Sequence, residues 1–258
     1  LTIDTACSSA LVALHAAVTS IQRGESDGAM ACAINVMLHP IQHVAFSRLS
    51  MLSPTSRCHA FDSSGDGYVR SEGAGVVVLK RLDKALADGD HIYATIVNTV
   101  INCDGRNEGL TFPSVDGQIR LLQEAYQGLS TEKVHYVETH GTGTSAGDPV
   151  ESTAIGTVLG SASRPLTLGS VKTNIGHLEA AAGIAGLIKA ALCLQRRGPE
   201  QFIDGAGHRA GQHPGAVLAR LQRQPGQCDQ CGRLRHCAVG NHHAGRRQHE
   251  SWQYVLGQ

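Results

Sequence analysis

Between residues 1 and 197, apolar β-like runs alternate with helical patterns, and this alternation restricts the chain to a layered α/β architecture. Residues 28–37, 75–82, 91–100, 134–139 and 166–171 read as buried strands. Residues 8–23 place Leu11, Leu14, Val18 and Ile21 on one helical stripe and stop at Gly24, a favourable residue just past a helix end. Further helices are expected over 115–127, 149–159 and 179–195. The chain opens on Leu1 inside what reads as a strand that has already begun.

From residue 198 the pattern dissolves. The remaining stretch holds ten Gly, nine Gln, seven Arg and no Lys, with no sustained period of 2 or 3.6. Residues 1–197 are therefore taken as one partial domain, and 198–258 as an anomalous tail, either out of frame or disordered. Lys plus Arg and Asp plus Glu both total 22, which removes the charge excess that drives nonspecific nucleic-acid binding. The longest apolar candidate, 180–194, is interrupted by Lys189 and falls short of the roughly 18 residues a membrane span needs. Eight cysteines scattered through 258 residues suit reduced thiols in a cytoplasmic setting. Cys32, Cys58, Cys103 and Cys193 are expected in or near the core.

The stretch DTACSSA, residues 4–10, turns a short apolar strand directly into an amphipathic helix with Cys7 at the junction. A thiol there faces unpaired backbone N–H groups and the positive end of the helix dipole, so a thiolate is expected and Cys7 is a candidate nucleophile. His140 stands in VETHGTGT, residues 137–144, where an apolar strand enters a Gly/Thr loop. His177 ends SVKTNIGH, residues 170–177, just before a helix, a position that disfavours the imidazolium and leaves a neutral ring able to donate to an oxyanion. Each of these residues alone would more often be structural. Three strand-to-loop junctions bearing Cys, His and His together suggest one site.

Around these residues, the stretches 4–9, 138–149 and 171–177 resemble the signature motifs of β-ketoacyl synthases, most nearly the ketosynthase domains of type I polyketide synthases and animal-type fatty acid synthases. FDSSGDGYVRSEG at 61–73 and GLTFPS at 109–114 are similar to the same family. The resemblance runs nearly continuously over residues 1–197. It implies a thiolase-like αβαβα layered fold, here truncated at the N-terminus and irregular at the C-terminus. It also implies decarboxylative Claisen condensation, an acyltransferase chemistry that elongates polyketide or fatty acid chains. On that footing Cys7 carries the acyl chain, and His140 and His177 stabilise the enolate left by decarboxylation of a malonyl-type extender. Lys172 and Glu151 tune and orient the histidines, Thr142 and Thr144 contact a phosphopantetheine arm, and no metal takes part.

The implied partners are acyl carrier protein and acyltransferase domains, with a homodimer in the intact enzyme, and no directly bound cofactor. Two departures stand out. The chain starts immediately before the nucleophile. After residue 197 it also lacks the Pro-Asn-rich segment and the Gly-Phe-Gly-Gly-Thr-Asn loop that supplies an oxyanion donor in the family. One such donor is worth about two to three orders of magnitude in rate, so the chain by itself is expected to be inactive. A CoA-dependent thiolase or chalcone-synthase relative is the alternative enzyme, although those families pair Cys with His and Cys or with His and Asn. A noncatalytic acyl-binding remnant is the alternative from another class.

Other patterns carry less. Gly141, Gly143 and Gly147 miss a dinucleotide fingerprint by one residue. Asp62, Ser64, Asp66 and Gly67 begin like a calcium loop, but Gly73 stands where its bidentate Glu belongs. Cys228 and Cys231 lack a second ligand pair at zinc spacing, since His242 and His243 are adjacent. Asp148 is expected to cap the helix it precedes.

Overall fold

The computed structural model describes residues 1–105, 109, 112–162 and 164–196, with the short segments 209–210 and 219–222. The first helix, α1 (Ser9–Gln22), leads into strand β1 (Gly28–Asn35), a short helix α2 (Ile41–Arg48) and strand β2 (Gly73–Lys80). Helix α3 (Leu82–Ala87) and strand β3 (Thr95–Thr99) complete this first part. Helix α4 (Val115–Ala125), strand β4 (Tyr136–Glu138), helix α5 (Gly147–Leu159) and strand β5 (Leu166–Gly169) follow. The one-turn helix α6 (Lys172–Ile175), a 3-10 turn (Glu179–Ala181) and helix α7 (Ala182–Arg196) close the continuous part. Family-type alternation is thus present, but α2 and α3 were not anticipated. Both are short, eight and six residues.

β1 and β2 are antiparallel neighbours, and β4 and β5 run parallel, joined by α5 as a crossover helix. Two short strands from the tail, β6 (Arg209–Ala210) and β7 (Ala219–Gln222), lie antiparallel to β5 and β3. They are the described part of a region expected to be irregular. The rest of 198–258, including Cys228, Cys231, His242 and His243, lies outside the described residues. The expected opening strand is not formed: residues 1–4 join no ladder, Leu1 is fully exposed, and only a bridge between Thr5 and Cys7 is present.

Two apolar clusters hold the layers together. In one, Leu14 of α1 and Ala31 of β1 meet Tyr136 of β4 and Ile184, Leu187 and Leu194 of α7. In the other, Leu122 and Ala125 of α4 and Ile155 and Leu159 of α5 cover Val137, Leu166 and Leu168 of β4 and β5. β4 contributes to both because successive side chains face opposite ways. Gly75 lets α7 approach β2 closely: a Cβ there would stand 2.6 Å from Ile184 Cγ2.

Strands β1 and β2 were expected to be buried, and their outer face is not. Burial alternates along both, because α1 and α7 cover only one side of the pair. Met30 (69% exposed) pairs directly with Val78 (77% exposed), and Ile34 and Val76 continue the open apolar face. Cys32, expected near the core, lies on this face and is exposed, as is Cys103, whereas Cys58 and Cys193 are buried. A contiguous apolar face of this kind drives association. Met30→Glu combined with Val78→Lys, which sets opposite charges across a registered pair, is expected to reduce ANS binding and self-association of the chain. Unchanged sedimentation profiles over a concentration series would count against it.

Beneath the site, Glu138 at the end of β4 is almost wholly buried. One oxygen accepts from Val171 N–H at 2.6 Å, and the other takes the Tyr136 hydroxyl and lies 2.9 Å from Lys189 Nζ of α7. This cluster pins the strand end, helix α7 and the approach to α6 to one another. Lys189→Met leaves the carboxylate buried without its cation and is expected to cost about 3–5 kcal/mol in chemical denaturation. The double replacement with Glu138→Gln should cost clearly less than Lys189→Met alone; an equal or larger cost would mean the pair itself stabilises.

Candidate active site

Cys7 precedes α1, and the residue before it, Ala6, sits in the left-handed region at φ 57°, unusual for a residue with a side chain. The turn is held by Asp4, whose carboxylate accepts from Ala6 N–H, and by Ser9, whose hydroxyl accepts from Thr5 N–H. The half-buried thiol is thereby turned toward the loops that follow β4 and α6. His140 enters from the loop after β4 and His177 from the segment after α6. Their rings lie 5.3 Å apart, edge to face at 88°. The Cys7 sulfur and one ring nitrogen from each histidine all fall within 4.8 Å of one another.

The two histidines are held differently. Glu151 of α5 accepts from the backbone N–H groups of His140 (2.6 Å) and Gly141 (2.8 Å), so its carboxylate fixes the loop rather than the ring. His177 uses Nδ1 to accept from the backbone N–H of Glu179 at 2.8 Å. A neutral ring that accepts at Nδ1 carries its proton on Nε2. Gly176, at φ 75° and within 3.0 Å of Val69 O for any added Cβ, is what allows His177 to pair its N–H with Val69 O.

Burial holds both imidazoles well below the ordinary histidine range, and the buried Lys172 ammonium adds to it. Neutrality was expected from a helix terminus; its main cause here is desolvation. Lys172 is itself pushed down by burial and opposed by Glu151 and Glu138, while burial pushes Glu151 up to about 7. The thiolate expected at Cys7 is not what this setting favours. Burial first, then the Glu179 charge, push the thiol up to about 11, against the smaller opposing effect of Lys172. Dipole stabilisation at the end of α1 is outweighed by loss of water and a facing carboxylate.

Thr142 and Thr144 line the same cleft with their hydroxyls 2.9 Å apart, and the Thr144 hydroxyl also accepts from Gly147 N–H at the start of α5. Asp148 does not cap that helix. It lies inside α5, and its oxygens accept from Phe61 N–H (2.6 Å) and Gly143 N–H (3.1 Å), tying the 61–73 segment to the His140 loop. Thr144 takes the place the sequence assigned to Asp148. The cleft encloses about 940 Å3, with Leu11, Val12, Met51 and Phe112 on its apolar walls. Such a volume and lining suit an extended acyl chain.

Glu179, beside the sulfur, and Arg70, bonded to Glu179, were missed from the sequence. Glu179 Oε2 lies 3.8 Å from Cys7 Sγ, and its Oε1 takes Arg70 Nε at 2.8 Å. Arg70 was visible only as one letter of the 61–73 stretch, 109 positions from its partner. Among the described residues, Cys7, His140 and His177 form the sole trio close enough to close around a metal ion. The buried Lys172 and Arg70 cations nearby oppose a further positive charge and favour an anion formed between the rings. The arrangement can therefore present a sulfur to a thioester carbonyl and two neutral donors to a developing enolate.

The model of the β-ketoacyl synthase N-terminal domain matches residues 1–85, and that of the C-terminal domain matches 93–201. A phenolphthiocerol/phthiocerol polyketide synthase polypeptide of Mycobacterium tuberculosis is 50% identical over 198 residues, 75% of this chain and 11% of that protein. A reducing polyketide synthase of Gibberella moniliformis is 52% identical over 197 residues, covering 75% of this chain and 8% of its own length. Among solved structures, the ketosynthase from module 6 of the bacillaene synthase of Bacillus subtilis 168 matches with a TM-score of 0.74 at 44% identity, over 75% of this chain and 36% of its own. The oxazolomycin ketosynthase domain of Streptomyces albus JA3453 matches with a TM-score of 0.72 at 41% identity, over 75% and 34%. The chain thus spans about a tenth of the curated relatives and about a third of the solved ketosynthases.

Proposed function

Because the chain belongs to the β-ketoacyl synthase family, we propose that residues 1–197 form the ketosynthase portion of an enzyme that elongates polyketide or fatty acyl chains. Cys7 attacks an acyl thioester, takes the acyl group and releases the carrier thiol. A malonyl-type extender on acyl carrier protein then loses carbon dioxide, and its enolate carbon attacks the Cys7 thioester, returning the thiol and leaving a β-ketoacyl carrier. His177, with its proton on Nε2, and His140 donate to the enolate oxygen. Glu151 holds the His140 loop, and burial, with the Lys172 charge adding to it, keeps both rings neutral. Thr142 and Thr144 are the hydroxyls placed to meet the amides of a phosphopantetheine arm.

The observation that carries this reading is the convergence of one sulfur and two imidazole nitrogens within 4.8 Å at an apolar cleft. Cys/His/His favours carrier-protein substrates over the CoA chemistry of sites with a second Cys or an Asn. Acyl carrier and acyltransferase domains, a second copy of the domain and a cytoplasmic setting that keeps Cys7 reduced belong to the same reading. No helix among the described residues is long and apolar enough to cross a membrane. The family matches cover residues 1–85 and 93–201, and of the two readings of the tail, out-of-frame or disordered, the first is the one the encoding DNA can test. Translating the encoding DNA in its other frames should then restore a Gly-Phe-Gly-Gly loop. A complete domain carrying residues 1–197, given labelled acyl-carrier thioester and then malonyl-carrier, should show label on the Cys7 peptide and then carbon dioxide release with a β-ketoacyl product. Label absent from Cys7 would overturn the assignment.

A further inference from the structure

The Arg70 and Glu179 pair touches the nucleophile yet plays no part in the condensation just described. Glu179 stands in the left-handed region at φ 46°, which for a residue with a side chain is a strained position maintained by its surroundings. Its backbone N–H serves His177 Nδ1, one carboxylate oxygen is taken by Arg70 Nε, and the other faces Cys7 Sγ at 3.8 Å, where it accepts the S–H. Arg70 is anchored in turn. Its side chain is 1% exposed, Nη2 donates to Gln42 Oε1 at 3.0 Å, and the guanidinium lies 5.2 Å from the centre of the Phe46 ring. Its Nη1 is buried without a hydrogen-bond partner.

We propose that Glu179 is a positioning residue for Cys7: the Arg70-anchored carboxylate takes the S–H hydrogen bond and holds the nucleophile as a thiol until an acyl thioester arrives. Acyl transfer then moves the thiol proton to the departing carrier sulfur, so Cys7 no longer has a hydrogen to give. A resting thiol is a poor target for oxidants and alkylators, because the thiolate is the reactive form. The inference rests on the acyl-carrying role of Cys7 for its purpose, but its physical content does not.

The groups facing Cys7 are Glu179 from the 179–181 turn, Lys172 from α6, His140, His177, and Tyr68 from the 61–73 segment, with Arg70 bonded to the far oxygen of Glu179. Both histidines are neutral near pH 7, so burial first, then Glu179 raising and Lys172 lowering, set the thiol. The test is alkylation of the 258-residue chain by iodoacetamide from pH 6 to pH 11.5, followed by mass spectrometry of the Cys7 and Cys58 peptides separately. Glu179→Gln keeps the size and the backbone bond to His177 while removing the charge. The expected result is a midpoint about one pH unit lower than that of the parent chain, hence about tenfold faster alkylation at pH 8. Loosened packing would admit water and lower the midpoint too, but it would also speed alkylation of the buried Cys58, read on its own peptide, which removal of the charge alone leaves unchanged; an unmoved midpoint overturns the proposal. Should Glu179→Gln fail to fold, Glu179→Asp retains the charge for Arg70 but draws the oxygen back from sulfur. Its midpoint should also fall, and an unchanged one is equally decisive. The titration needs no acyl substrate, so it stands apart from the loading experiment: absent label with a shifted midpoint defeats the condensation reading alone.

Discussion

Cys7→Ala is expected to abolish acyl loading, with a loss of at least about four orders of magnitude in the single-turnover rate of a complete domain carrying these residues. The reason is local. No other described cysteine stands beside two histidines: Cys32 and Cys103 are exposed elsewhere, while Cys58 and Cys193 are buried. Cys58 is buried with its sulfur accepting from Val69 N–H and lies outside the Cys7, His140 and His177 trio, so it is not placed to replace the nucleophile. Label is followed on the tryptic peptide bearing residue 7, using acyl-carrier thioester. Unaltered labelling in the alanine variant would remove the nucleophile assignment and with it the whole condensation scheme.

The second large effect separates the two chemical steps. His140→Ala or His177→Ala should slow malonyl decarboxylation by about two to three orders of magnitude, the usual cost of one oxyanion donor, while acyl loading stays within about tenfold. Both rings are uncharged at neutral pH because burial disfavours the imidazolium, so they act as donors without first having to lose a proton. The sign of the pH dependence follows. A depressed imidazole pKa leaves the ring neutral at every pH above it, so decarboxylation should show no histidine inflection between about pH 6 and 8. Equal losses in loading and decarboxylation, or an inflection near pH 6.5 that disappears in a histidine variant, would count against the division of labour.

The candidate residues were legible because each sits at a strand-to-loop junction inside a short, distinctive stretch. Cys7 before α1, His140 after β4 and His177 before the 179–181 turn could be read one at a time, and the fold brings the three together. The helices α1, α4, α5 and α7 were legible from apolar spacing to within a few residues. Helices α2 and α3 were not, since eight and six residues span too few turns for a period to stand out. Buried strands were expected at β1 and β2 because small apolar residues fill both faces; the sequence could not say that only one face would be covered.

Local sequence determined the chemistry available to this protein: a thiol at the start of a helix, two imidazoles entering from loops, and an interior of small aliphatic side chains. Tertiary structure alone decided the state of those groups. Burial first, and then the Glu179 carboxylate 172 positions away, push the Cys7 thiol up against the dipole of its own helix. Asp148 ties together segments far apart in the chain instead of capping its helix, for the same reason. Motifs are set by neighbours along the backbone, whereas charge and protonation are set by distance and water through space, which the order of residues does not record.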